Sequence, residues 1–298
     1  MQYSSYNSLY QHSFRKIGCL KKRCHANFIY ICRLFPDILQ TCEFFASLKD
    51  LNEIVNQFES ISLNEMGKVK LLDRLDKKYT FPAYRLDEVM SHLLNHYKVL
   101  EIDDLRYARY ETRYFDTPAY EMYRQHHNRK LNRHKVRFRT YLDSGLQFFE
   151  VKFKTNKGRT IKKRTLVNPA NYTIVGNAEA LLLQRSPFTK DQLQESLRVY
   201  YTRITLVSND QKERVTIDTG LSYELHGKTA AFPGMIIAEV KQDKSGTSSF
   251  IHLMKKLRIY DISISKYCLG IATLANNVKI NNFKIKLLHV KKLCSASA

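Results

Sequence analysis

Lysine and arginine recur at alternate positions through much of this 298-residue chain, and that spacing carries the chemistry. Arg133, Lys135, Arg137 and Arg139 share one parity, followed by Lys152 and Lys154 with Glu150, and then by Lys162 and Arg164. In β-strands each set lines a single face. Lys78 with Asp76, Arg203, Arg214 with Asp218, and Lys241 with Glu239 repeat the pattern at distant positions. Arginine grips phosphate bidentately and lysine adds point charge, so such rows suit a polyanion. The acids Asp76, Glu150, Asp218 and Glu239 fall on the same faces and have two readings. They are oxygen ligands for a hard divalent cation that bridges phosphates, or ion-pair partners of the neighbouring cations.

The charge balance agrees. There are 49 Lys+Arg against 28 Asp+Glu, a net +21, and residues 124–164 hold 14 basic and 2 acidic residues, concentrating the excess in one segment. A polyanionic partner follows: phosphate chains, nucleotides, nucleic acid or anionic lipid. Hydrophobic residues at 44% with 10 Gly and 6 Pro exclude collagen-like and broadly disordered chains. Phe138, Phe149 and Phe153 alternate away from the basic rows, which deprives bases of stacking platforms there and argues against specific nucleic-acid binding.

No apolar run is long enough to cross a bilayer, and no cleavage site follows Phe28–Leu34, so the expectation is a cytoplasmic protein, with a peripheral position at the inner membrane face left open. Its six cysteines then read as reduced thiols. Cys19, Cys24, Cys32 and Cys42 lack the spacing of a zinc module. Residues 1–45 read as a poorly ordered appendage and 46–298 as the functional domain.

The elements that position these rows are legible in part. Asp143-Ser144-Gly145 and Asn156-Lys157-Gly158 separate three alternating runs, predicting an antiparallel meander over 133–167. Leu86, Val89, Met90, Leu93, Leu94 and Tyr97 predict a helix of about three turns. Further helices are expected over Lys190–Val199, Phe250–Leu257 and Ser265–Ala275. The basic stretch Lys279–Lys292 reads as a packed terminal element, with docking to a membrane-protein partner as the alternative.

About eight strands thus carry a mostly basic row opposite an apolar one. A solvated charged face is what any one such strand would show, but adjacent like charges repel, so the set of rows favours an anion between them over a solvated face. The fold class expected is α+β: a closed antiparallel β-barrel enclosing a basic tunnel, with flanking α-helices.

Nine ordered motifs between Phe58 and Leu288 sharpen this reading. They include Arg74-Leu75-Asp76-Lys77-Lys78-Tyr79, Tyr114-Phe115-Asp116-Thr117-Pro118, Lys135-Val136-Arg137-Phe138-Arg139, Arg214-Val215-Thr216-Ile217-Asp218, Ala238-Glu239-Val240-Lys241 and Ser265-Lys266-Tyr267. The chain resembles the VTC domain, the polyphosphate polymerase domain within the CYTH-like triphosphate tunnel metalloenzyme superfamily. The resemblance implies transfer of the γ-phosphate of ATP to polyphosphate with manganese or magnesium. It implies Lys78, Arg137, Arg139, Lys152 and Lys266 as catalytic groups, and Lys162, Arg164, Arg203, Arg214, Lys241 and Ser265 as substrate ligands. Glu239 is implied as the metal ligand, with Asp76 and Glu150 in weaker support. Asp76 replaces the usual Glu, and Ser263 stands where eukaryotic members carry a second lysine. Their SPX sensor domain and transmembrane bundle have no counterpart in the sequence, so a stand-alone member is expected. A tunnel triphosphatase or nucleotidyl cyclase and a non-catalytic polyphosphate binder are the alternatives.

Overall fold

The computed structural model describes residues 51–67, 74–169, 171–243 and 247–295, and the expectation for residues 1–45 lies outside them. Within Ile54–Ala298 the strands are β1 (Ser60–Ser62), β2 (Arg74–Pro82), β3 (Tyr97–Glu101), β4 (Ala108–Asp116), β5 (Arg133–Tyr141), β6 (Gln147–Lys154), β7 (Thr160–Val167), β8 (Gln194–Ser208), β9 (Glu213–Leu225), β10 (Lys228–Phe232) and β11 (Met235–Asp243). The helices are α1 (Leu63–Gly67), α2 (Leu86–Ser91), α3 (Glu121–His127), α4 (Asn177–Arg185), α5 (Ser249–Lys256), α6 (Lys266–Leu274) and α7 (Lys284–Ser295).

The predicted meander is β5-β6-β7, and its turns form where glycine permits positive φ, at Gly145 (70°) and Gly158 (75°). These strands end one sheet of order β2-β11-β9-β8-β4-β5-β6-β7; β10 pairs with β9, and β3 pairs with β8 and, in parallel, with β1. Closure into a barrel is not observed: β2 and β7 terminate the order without pairing to each other. Lys78 on β2 and Lys162 and Arg164 on β7 sit on the faces bearing the basic rows. Cross-strand neighbours lie only about 5 Å apart, so joining these edges would oppose cation to cation.

Two helical expectations also fail. The helix expected over 86–97 is confined to α2, and Tyr97 instead opens β3, fully buried with its phenol on Glu213. Lys190–Gln192 is a single 3-10 turn closed by a Thr189/Gln192 capping box, after which Leu193–Val199 runs into the 15-residue β8. Its Val, Tyr, Thr and Ile content favours a pleated surface over a helix.

Both faces of the sheet are covered in different ways. On the outside of β5 and β6, Val136, Phe138, Phe149 and Val151 pack under Ala178 and Leu182 of α4. On the opposite face α6 packs across part of the sheet: Tyr267, Cys268, Leu269 and Ile271 join Tyr114, Leu197, Val199, Tyr201 and Tyr223 in one core. Gly270 allows this approach, since a methyl there would stand 2.5 Å from the Tyr223 ring and 2.6 Å from Leu197. The stretch expected as a terminal element is α7, whose Val290, Leu287 and Leu293 join the same core. No helix among the described residues is long and apolar enough to cross a membrane.

Candidate functional site

The remainder of the face on which α6 packs, here termed the channel, carries the predicted basic rows. Three carboxylates within it are each held by two cations. Glu239 on β11 takes Lys78 of β2 at 2.8 Å and Lys241 at 3.1 Å. Asp218 on β9, 2% exposed, accepts Nε and Nη2 of Arg203 at 2.5 and 2.8 Å and pairs with Lys266 from the start of α6. Glu150 on β6, 1% exposed, holds Arg137 Nη2 at 2.6 Å and Lys162 of β7 at 2.5 Å. Burial alone would raise these three carboxyls, but the paired cations outweigh it and hold each well below the usual carboxylate range.

The β5–β6 wall is different, because three of its cations have no carboxylate within ion-pair distance among the described residues. Lys135 donates to Ser265 Oγ at 2.7 Å, and that same hydroxyl caps α6 by accepting the Cys268 N–H at 3.3 Å. Arg139 is almost fully buried with its Nε unpartnered, its guanidinium 5.4 Å from the centre of the Tyr110 ring. Lys152 faces Lys135 on one side and Lys162 on the other in the strand register. Although its side chain remains open to water, its ammonium is pushed down to about 7. Crowding by the walls is the main cause, then Lys135, Arg137 and Lys78, against Glu239. Lys78 and Glu239, on the β2–β11 end of the sheet, are near enough to Lys152 on β6 to act on it electrostatically. Burial and then Arg137 push Lys162 down to about 8, against Glu150, with Arg139 adding to the shift.

An anion between these walls restores the charged form of Lys152, so binding takes up a proton above the free-state value. The affinity for tripolyphosphate therefore falls as pH rises above about 7, by up to about tenfold per unit. Lys152→Met will flatten this dependence, leaving the smaller part due to Lys162 near pH 8. Calorimetry in buffers of different ionisation heat checks it; an unchanged proton uptake in the variant would remove Lys152 from the anion site.

The other expected residues are placed as follows. Arg164 is exposed, with its guanidinium 4.4 Å from the centre of the Phe148 ring. Arg214 Nη2 reaches the Met66 carbonyl at 3.4 Å, and Asp76 is exposed at a register position opposite Lys241. Among the described residues no three His, Cys, Asp or Glu side chains gather as a metal cage. Sequence reasoning gave Asp116 no role of its own. It is wholly buried and accepts the N–H groups of Thr117, Met122 and Tyr123 at 2.7, 2.9 and 3.0 Å, together with the Tyr267 phenol, fixing α6 immediately beyond Ser265 and Lys266. Lys135 was legible as a member of its row, and its contact with Ser265 was not.

Solved structures match the chain only at low similarity. An adenylyl cyclase candidate from Hippeastrum with a dominant triphosphatase activity is 13% identical, with a TM-score of 0.44 over 68% of this chain and 98% of that one. A Pyrococcus horikoshii protein is 14% identical, with a TM-score of 0.39 over 67% and 99%. One from Pyrococcus furiosus is 11% identical, with a TM-score of 0.36 over 65% and 99%. No curated protein matches. The sequence model of the VTC domain matches residues 73–275, a span that contains β2 through α6 and every side chain of the three carboxylate clamps and of the uncompensated wall. With these motifs in one channel and most of its length matched, the chain belongs to the VTC domain family.

Proposed function

We propose that this protein is an ATP-dependent polyphosphate polymerase, with ATP and a phosphate chain meeting in the channel. The observation that carries the reading is the wall of Lys135, Arg139 and Lys152, three cations without carboxylate partners among the described residues, with Lys78 and Glu239 near enough to Lys152 to act on it electrostatically. Such an arrangement is electrostatically incomplete until phosphate fills it.

The terminal phosphate of the acceptor is already ionised at neutral pH, so its oxygen attacks the γ-phosphorus without a side-chain base. A new P–O bond forms, the bond from γ-phosphorus to the β–γ bridging oxygen breaks, and ADP departs with the electron pair. The chain's work is positioning and charge stabilisation. Arg139 supplies an uncommitted guanidinium, Arg137 and Arg203 add charge from within their pairs with Glu150 and Asp218, and Lys152, Lys162 and Lys241 follow the phosphates as mobile point charges. Lys266 and Ser265 reach the same space from α6.

The donor set fits a divalent cation held by one carboxylate and by substrate oxygens rather than by an all-protein cage: Glu239 is the available acid, and no acidic cluster surrounds it among the described residues. When bound, manganese or magnesium would neutralise charge on the transferred phosphoryl group.

Incubation with ATP, manganese and a short polyphosphate primer tests the proposal. Lengthening chains with one ADP per added phosphate support it. Orthophosphate without chains would replace it with a triphosphatase, and tight binding without turnover would leave a capture protein.

A further inference from the structure

The channel wall changes character along its strands. Its first rung, Lys135–Lys152–Lys162, is wholly cationic; the second is Arg137–Glu150–Arg164; the third is Arg139–Phe148–Leu166. Beyond it Tyr141 ends β5. Rungs on one face of a strand lie about 7 Å apart, so Phe148 stands about 13 Å from Lys152.

Phe148 and Tyr141 are half-buried, with centroids 6.0 Å apart and an interplanar angle of 74°, and Leu166 beside them is 56% exposed. These apolar groups share the parity of the cationic rows, so they line the channel rather than the core beneath α4. The Arg164 guanidinium lies over the Phe148 ring at 4.4 Å, a planar cation already on that aromatic face.

We propose that Phe148 is the stacking face for the nucleobase of the donor nucleotide, with Tyr141 standing edge-on at the rim of the base and Arg164 moving off the ring to close over it. The inference rests on the reading of the channel as a nucleoside triphosphate site. A planar, weakly polar head joined to a polyanionic tail is the ligand that matches a wall running from lysine to aromatic within two rungs. Bases stack on aromatic rings and under arginine with little regard to their identity. The phenylalanines weighed from the sequence do face away, but Phe148 was not among them.

Dissociation constants for ATP and for tripolyphosphate, which carries the anionic tail without a base, separate the possibilities. Phe148→Leu and Tyr141→Leu keep apolar volume and remove the π-face. Each should weaken ATP binding by about tenfold while leaving tripolyphosphate within about twofold. Equal losses for both probes, or no loss for ATP, would overturn the platform while leaving the channel reading intact. Failure of wild-type protein to bind either probe would overturn the channel reading and the platform with it.

Discussion

Glu239→Gln will lower ATP turnover on the order of a hundred- to a thousandfold while tightening the binding of metal-free tripolyphosphate. The two effects have opposite sign because the carboxylate does two jobs. It ties down Lys78 at 2.8 Å and Lys241 at 3.1 Å, withholding both from an incoming anion. The neutral amide keeps the shape and releases the two ammonium groups, and it removes the repulsion between Glu239 and phosphate. Equilibrium binding therefore improves. Turnover depends instead on charge placed where the transition state develops it, and losing one such group costs about two to three powers of ten. Steady-state ADP release and binding by competition, measured on the same preparation, check both halves. Turnover within a fewfold of wild type would remove Glu239 from the reaction. Weaker tripolyphosphate binding would mean that the acid organises the lysines rather than restraining them.

The division between what the sequence reveals and what it hides follows the range of the interactions. Alternation is local, so the lumenal parity of Arg137, Lys152, Lys162, Arg203 and Glu239 is readable from single strands, as are the glycine turns between β5, β6 and β7. Helix α6 is readable because Ser265 caps it and an apolar run follows. Closure is not local. It depends on whether two strands about eighty residues apart in sequence can pair, and the like charges on β2 and β7 weigh against it. Leu193 and Leu197 stand four apart, a spacing that fits both helix and strand periods over so short a window, so the start of the 15-residue β8 does not declare itself in the sequence. The aromatic residues of the channel were missed for a related reason. Tyr110, Tyr141, Tyr201 and Phe148 come from four strands, and only the register β8-β4-β5-β6 brings them together. The carboxylates show the same limit. Their parity placed Asp218 and Glu150 beside the cations, but both the metal and the ion-pair readings fitted that parity. Only the assembled sheet pairs Asp218 with Arg203 and Lys266, and Glu150 with Arg137 and Lys162.

Asp218 joins the sheet to α6, so Asp218→Asn will be the most destabilising change in the channel, by about 3–5 kcal/mol, because it strands two cations at a nearly buried site. The side chains of Arg203 and Lys266 are only 17% and 15% exposed, which leaves water little access to compensate. The pH dependence gives the sign. Burial would raise the Asp218 carboxyl, but Arg203 and Lys266 hold it well below the usual range. Its contribution to stability is therefore complete above the unfolded value near about 4 and is lost as pH falls through the lowered folded value. Denaturant unfolding should show wild type and variant converging in acid and diverging toward neutrality. Polyphosphate supplies the missing negative charge, so saturating ligand should raise the melting temperature of the variant more than that of wild type. A variant as stable as wild type at neutral pH would mean that Arg203 and Lys266 reach other partners. A variant that is destabilised but gains no more from polyphosphate than wild type would place those two cations outside the phosphate path.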